Sequence, residues 1–314
     1  MVARILDTLT SSVGSRVTIR LHDPEGGFRD LLGILESPST VRKRDGSLAS
    51  FRWQDIFVWK VIPEKVHLAG TGSPRSLRIM ELEDLAEATW PAPEVEEFGG
   101  WRFRAGSGFT RRANSVRPRG KAPYGEPGHE FGKSLDHVVQ FYAERGLPPV
   151  FHVALPVYAE LDDVLEEYGW KTSIEAHVMI ADRKTFENFH FRRGNYFIHV
   201  LNQPSDRWLD IQGERQGKVI MASYPSQYVA IEIDGVWVAA GRISDINQWG
   251  VISRLYVQPE FRRTGLAVEI LCQLIAHSNA DKFMLQVDVK NGSAISLYEK
   301  FEFHVHHNYR YRQL

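Results

Sequence analysis

The chain has 314 residues, 43% apolar and 25% charged, with 38 Lys and Arg against 39 Asp and Glu and a formal net charge of −1. That balance excludes a disordered or collagen-like chain and argues against a globally basic nucleic-acid binder, while the length suits two or three domains with cores of their own. A single cysteine, Cys272, excludes intrachain disulfides and thiolate-rich metal sites.

No apolar run reaches the ~20 residues that span a bilayer. The N-terminal stretch breaks at Asp7 and lacks the continuous core of a signal peptide, so a soluble, cytoplasmic protein without membrane association is expected. Residues 13–63 read as short strands: Val17–Leu21 alternates, Leu31–Leu35 is apolar, Arg44-Asp45-Gly46 turns a hairpin whose second arm is Ser47–Trp53, and Ile56–Ile62 closes the series. Such spacing predicts a small SH3-like or Sm-like β-barrel over residues 1–66, followed by a Gly, Ser and Pro-rich linker at 67–76.

Residues 77–182 mix both periods. GGWRFRAGSG and RRANSV read as neighbouring strands and 117–134 as a long loop; Leu135–Arg145 is a helix capped by Ser134 and ended at Gly146. Strand Val150–Ala154, helix Val157–Tyr168 and strand Ile174–Ala181 follow. Residues 195–314 alternate more regularly, with strand Tyr196–Leu201, a hairpin of Gln227–Ile233 and Val236–Ile243 around Asp234-Gly235, and strand Trp249–Val257. Helix Gly265–Ser278, strand Phe283–Val289, helix Ser293–Phe301 and strand Phe303–Arg312 complete a mixed α/β chain.

The informative stretch is RLYVQPEFRRTGLAVEILCQLIAHS, residues 254–278. A β-branched strand meets a proline, two arginines and a glycine, then enters a helix whose apolar rows recur at four-residue spacing, with Glu269, Gln273 and His277 on the wetter face. Free first-turn N–H groups, the positive helix end and Arg262 and Arg263 converge there, an anion site suited to a pyrophosphate. Gly265 lets the backbone approach phosphates where a Cβ would intrude. Neither GxxxxGK[ST] nor GxGxxG is present.

VQPEFRRTGLA resembles motif A of the GNAT N-acetyltransferase superfamily, [QR]-x-x-G-x-[GA], through Arg262, Gly265 and Ala267. LQVDVKNGSAISLYEKFEF (285–303) resembles its motif B, with Asn291, Ala294, Leu297 and Tyr298 at the expected offsets. The resemblance covers residues 195–314; residues 77–182 are similar to a degenerate copy in which LEEYGW (165–170) stands in the place of YEKFEF (298–303). It implies an α/β (α+β) GNAT fold with a mixed, mostly antiparallel sheet in a tandem arrangement behind the small all-β barrel: a degenerate half at 77–182 and a catalytic half at 195–314.

The resemblance further implies acetyl-CoA as cosubstrate and an amine on a small molecule or protein as acceptor, in a monomer or homodimer. The pyrophosphate would lie on the amides of Arg263, Thr264, Gly265, Leu266 and Ala267 beside Arg262. The pantetheine would run along the strand at Leu255, Tyr256 and Val257, braced by Asn291. Backbone amides near Leu255 and Val257 would hold the thioester oxygen and Tyr298 would protonate the thiolate; Asp288, Asp245 and Glu232, in that order, are candidates for the base. The family's usual glycine after the second helix is Glu302 here.

Blander readings stand beside these. Arg262 and Arg263 also fit a solvated turn and Tyr298 a core tyrosine. His304, His306 and His307 read as strand residues near the substrate mouth, with no carboxylate at ligand spacing, and Cys272 as a small hydrophobe. Trp53, Phe57 and Trp59 near Arg42, Lys43 and Arg44 fit barrel packing better than a nucleic-acid platform. The alternative function is a non-catalytic acyl-CoA-binding module that docks a protein or nucleic acid through the barrel.

Overall fold

The computed structural model describes residues 8–24, 26–43, 46–61, 75–186 and 194–314, with the backbone alone at 75–77. Two units divide the chain, Met1–Ser73 and Pro74–Leu314. In the first, β1 (Arg16–His22), β2 (Phe28–Ser37), β3 (Thr40–Arg42), β4 (Leu48–Ser50) and β5 (Ile56–Val61) form one antiparallel sheet in the order β4-β3-β2-β1-β5. Alternation decides the inner face: Val17, Ile19 and Leu21 of β1 are buried with Leu31, Leu35, Val41 and Phe51, while the intervening side chains point outward.

Among the described residues β4 and β5 do not pair, so the sheet is open where the sequence suggests a closed barrel. The second hairpin arm is also shorter than expected, because Trp53–Asp55 folds into a 3-10 turn. Arg44 and Asp45 of the predicted turn and most of the predicted linker lie outside the described residues.

The second unit begins with α1 (Arg75–Ala88), a helix absent from the sequence reading. Strands β6 (Glu94–Phe98), β7 (Trp101–Ala105) and β8 (Arg117–Pro118) form a small antiparallel sheet, followed by α2 (Phe131–Ala143), β9 (Val150–Leu155), α3 (Ala159–Glu167) and β10 (Lys171–Asp182). RRANSV is a loop rather than a strand. Asn114 accounts for this: its Oδ1 accepts from the Gly106 and Gly108 amides at 2.7 and 3.1 Å, and its Nδ2 donates to the Phe109 and Thr110 carbonyls at 2.9 and 2.7 Å. One side chain thus takes over the backbone groups a strand would pair. Ser134 does not cap α2; it is buried one turn inside, its hydroxyl bonded to the His129 carbonyl at 3.2 Å.

The second half follows as β11 (Phe197–Leu201), short helices α4 (Asp206–Asp210) and α5 (Lys218–Ala222), and then β12 (Gln227–Ile233), β13 (Val236–Ile246) and β14 (Trp249–Val257). Helix α6 (Leu266–Ala276), β15 (Lys282–Asp288), α7 (Gly292–Glu299) and β16 (His304–Gln313) end the chain. The order of three strands, helix, strand, helix, strand therefore occurs twice. The last two strands of the first copy interleave with the second in one eight-stranded sheet, β11-β12-β13-β14-β15-β10-β16-β9: β10 pairs with β15, and β16 pairs with β9. All neighbours are antiparallel except β14 and β15.

Helix α6 buries Leu266, Ile270, Leu271, Leu274 and Ile275 against β12, β13 and β14. It approaches closely because Gly241 lies beneath it; a Cβ there would stand 2.5 Å from Ile270 Cγ2. Glu269, expected on the wet face, is buried, its Oε1 accepting from Gln273 Nε2 at 2.9 Å.

Candidate active site

Strands β14 and β15 run side by side only from Trp249 and Lys282 to Ile252 and Leu285. Beyond that the register with β13 shifts between Ala240 and Arg242, and Arg254 opposite takes a left-handed φ of +58°. This bulge turns β14 away from β15, so that a wedge opens between Ser253–Val257 and Gln286–Asp288. The Gln258 amide donates to the Val238 carbonyl at 2.9 Å. By alternation the Val257 amide therefore faces the wedge and that of Tyr256 faces β13, while Leu255 lies in the bulge itself.

The elbow after β14 is exposed from Arg262 to Gly265. Arg262 braces it: Nε donates to the Val257 carbonyl at 3.1 Å and the guanidinium lies 5.9 Å from the centre of the Tyr256 ring. Thr264 Oγ1 bonds the Phe261 carbonyl at 2.5 Å. Arg263 and Gly265 are left-handed, at φ +64° and +93°. Gly265 is the N-cap of α6 and brings no side-chain acceptor, so the first-turn N–H groups, those of Leu266 and Ala267 among them, lack a cap. A Cβ at Gly265 would meet nothing within 4 Å; the backbone conformation, not crowding by the protein, is what favours glycine.

Tyr298, on α7, packs in the same apolar cluster as Val257 and Leu266. It is 7% exposed, its hydroxyl has no partner among the described residues, and burial pushes it up to about 12. Asn291 caps α7, its Oδ1 accepting from the Ala294 amide at 3.2 Å. Glu302 takes φ +57°, the left-handed turn for which a glycine is usual, and the Phe303 amide still closes the helix on the Tyr298 carbonyl at 3.1 Å.

A cavity of about 620 Å³ occupies the wedge mouth. Ser253, Arg254, Gln286 and Asp288 line one side, and Arg112 and Tyr309 are among those facing them. Asp288 is thus brought to the cavity, where its Oδ1 also accepts from the Lys290 amide at 2.8 Å. The other two candidate bases are not. Asp245 pairs with Gly250 at the opposite end of β14, and its carboxylate holds Ser278 Oγ and the Asn279 amide, each at 2.7 Å. Glu232 is engaged by Trp237 Nε1 at 2.7 Å, His199 Nε2 at 2.9 Å and Arg207 at 3.3 Å.

His304, His306 and His307 stand on β16, in keeping with their reading as strand residues. His307 is buried with Nε2 at 2.9 Å from Glu83 Oε1, while His152 Nε2 lies 2.8 Å from Glu83 Oε2. Burial alone would raise the Glu83 carboxyl, but the two histidines hold it well below its usual range. Cys272 is half-buried and burial pushes its thiol up to about 11, which keeps it unreactive. Among the described residues no group of three or more His, Cys, Asp or Glu is arranged to hold a metal ion. Nor is any helix there long and apolar enough to cross a membrane.

Sequence reasoning missed Arg112, Arg242, Arg254 and Gln286. Arg242 is wholly buried, donating to the Thr89 carbonyl at 2.9 Å and to Ser253 Oγ at 3.3 Å. Arg112 was visible only as part of RRANSV, and the bulge at Arg254 leaves no mark in the residue order.

A splayed parallel strand pair feeding an uncapped helix through a glycine elbow, within a mostly antiparallel sheet, defines an acetyltransferase of the GNAT superfamily. Residues 77–312 match the family described as "Probable histone acetyltransferase Rv0428c C-terminal", and the chain belongs to that family. It is 27% identical over 248 residues to the "Uncharacterized N-acetyltransferase YobR" of Bacillus subtilis (strain 168), covering 74% of this chain and 98% of that one. The fold is similar to that of a GCN5-related N-acetyltransferase from Kribbella flavida, with TM-score 0.60 and 13% identity over 75% of this chain and 95% of the other. It is also similar to a tandem GNAT protein from the clavulanic acid biosynthesis pathway, with TM-score 0.53 and 10% identity over 80% and 90%.

Proposed function

We propose that the chain transfers an acetyl group from acetyl-CoA to a primary amine by direct attack in a ternary complex. The observation that carries the reading is the elbow: exposed, uncapped, left-handed at Gly265, and placed where β14 has parted from β15. The amides from Arg263 to Ala267 and the positive end of α6 suit a pyrophosphate, with Arg262 holding the elbow in shape. The wedge suits an extended pantetheine, hydrogen-bonded along β14 as a further strand would be.

The amine nitrogen forms its bond to the thioester carbon, and the amides of Leu255 and Val257 donate to the oxygen as it gains charge. When the C–S bond breaks, its electron pair leaves with sulfur and the Tyr298 hydroxyl supplies the proton. Burial suits Tyr298 to this role, because a hydroxyl pushed up to about 12 stays protonated at neutral pH. Asp288 receives the amine's proton directly or through water, and Asn291 fixes the start of α7 and hence the position of Tyr298. The halves at 77–182 and 195–314 act as one body here, the second supplying the acetyl-CoA wedge and the first a wall of the acceptor cavity.

Release of free CoA from acetyl-CoA, followed with the full chain and a panel of amines, tests the reading. Amine-dependent release is expected. Tight acetyl-CoA binding without release on any amine would favour a non-catalytic acyl-CoA-binding module instead.

A further inference from the structure

The cavity at the wedge mouth is lined by Arg111, Arg112 and Arg254 and by a single carboxylate, Asp288. Arg112 Nε, Arg254 Nε and Gln286 Nε2 are buried without a partner, and all three residues line this one cavity. The Gln286 amide cannot relieve this by turning over. Its Oε1 accepts from Arg112 Nη2 and from the Tyr309 hydroxyl, so a flip would set NH₂ against a guanidinium. A buried donor left unpaired is costly; these three nitrogens are enclosed by protein, so they mark incomplete hydrogen bonding in the side chains that border the cavity.

Charge supplies the direction. Arg112 and the adjacent buried Arg242 have no carboxylate partner among the described residues; Arg242 is held by carbonyl and hydroxyl oxygens alone. Arg254 pairs with Glu214 and donates to Gln212 Oε1 at 2.9 Å, leaving the cluster in net positive excess. Burial and the neighbouring Arg112 charge bring Arg254 down to about 10, which still leaves it cationic at neutral pH. The opposite sign is present nearby: Asp288 stands two residues beyond Gln286 on β15, on the same face, and lines the same cavity. The cavity is therefore bipolar.

We infer that the acceptor is an amine that also carries an anionic group, a carboxylate or a phosphate, seated against Arg112, Arg254 and Gln286 with its amine toward Asp288. The inference rests on the acetyl-transfer reading for the amine end, while the anion subsite stands on the excess of guanidinium charge at the cavity. Such a ligand meets the guanidinium charge that no carboxylate pairs at Arg112, and a diamine would bring a second cation against the arginines.

The test uses the full chain with saturating acetyl-CoA and four amines: 4-aminobutyrate, O-phosphoethanolamine, 4-amino-1-butanol and putrescine. At least one anionic amine is expected to exceed the amino alcohol tenfold or more in kcat/KM, with putrescine poorest; the better of the two anions identifies the group. Arg112→Gln should collapse the anionic-to-neutral ratio toward one, mainly through KM, and Arg112→Lys should restore part of it. Gln286→Glu, which replaces a donor by a negative charge, should do the same and carries the test if Arg112→Gln fails to fold. Calorimetry of 4-acetamidobutyrate and of inorganic phosphate with the CoA-bound protein reads the subsite without turnover. Arg112-dependent binding there with no acetyl transfer to any amine would leave the anion site standing and remove the acetyl-transfer reading. Transfer favouring the amino alcohol or putrescine, or no anion binding that Arg112 affects, would overturn the inference alone.

Discussion

Gly265→Glu separates the elbow's backbone role from its proposed ligand role. At φ +93° any side chain costs about 1–2 kcal/mol of stability, because a Cβ crowds the following carbonyl in the left-handed region. Since a Cβ there meets no atom within 4 Å, no clash is added, and Gly265→Ala measures that backbone cost alone. The glutamate variant adds a carboxylate over the first turn of α6, beside the proposed pyrophosphate. Like charges about 5 Å apart repel by about 3 kcal/mol at an effective dielectric of 20 and about 1 kcal/mol in bulk water, for each phosphate charge. With two such charges, acetyl-CoA affinity should fall about 30-fold or more, while Gly265→Ala should lose far less. Calorimetric titration gives the affinities, and thermal unfolding, expected to drop similarly in both variants, shows that the loss is not misfolding. Unchanged affinity in Gly265→Glu would mean that the diphosphate binds elsewhere and would remove the basis of the functional reading.

Tyr298→Phe removes a hydroxyl that bonds nothing among the described residues, so stability should change by less than about 1 kcal/mol while kcat falls about 10- to 100-fold at constant acetyl-CoA affinity. Because that hydroxyl titrates at about 12, the kcat profile of the parent protein should show no descending limb from Tyr298 below pH 10. Asp288→Asn should lower kcat, whereas Asp245→Asn should lower the melting temperature and spare kcat, since Asp245 only ties Ser278 and Asn279; the reverse outcome would exchange their roles. Glu302→Gly should stabilise by about 0.5–1 kcal/mol in chemical denaturation, because glycine takes φ +57° without strain. Burial raises the Glu87 carboxyl, but the charges of Arg104 and Arg117 and bonds from Arg102 and Arg117 outweigh it and hold the group at about 2. The resulting stability, about 3 kcal/mol from the gap to the ordinary 4.5, is fully present above pH 4.5 and lost as pH falls toward 2. Glu87→Gln should cost a comparable amount at neutral pH and flatten that acid limb.

The C-terminal half was legible because its local signals agree with its tertiary setting. β14 has the predicted bounds, Trp249–Val257, and β12 and β13 turn at Asp234 and Gly235, both left-handed as the hairpin demands. The Gly265 elbow could be read for the same reason: Pro259, Arg262, Arg263 and Gly265 lie close together in the chain, and the helix they open shows a clean apolar row. Helix α1 failed on the opposite ground. Its buried face holds Ile79, Leu82, Leu85 and Ala86 but also Glu83 and Glu87, so two carboxylates fall where the pattern calls for apolar side chains. What makes those carboxylates tolerable lies far away in the chain: Arg102, Arg104 and Arg117 around Glu87, and His152 and His307 around Glu83. The cavity at the wedge mouth was hidden by the same kind of distance. Arg112 meets Gln286 only because β10 has entered the sheet between β15 and β16, drawing the first half against the wedge of the second. Pairing of buried charges across an exchanged strand has no period and no punctuation. A chain whose candidate site is assembled that way discloses the glycine elbow, which is local, well before the cavity, which is not.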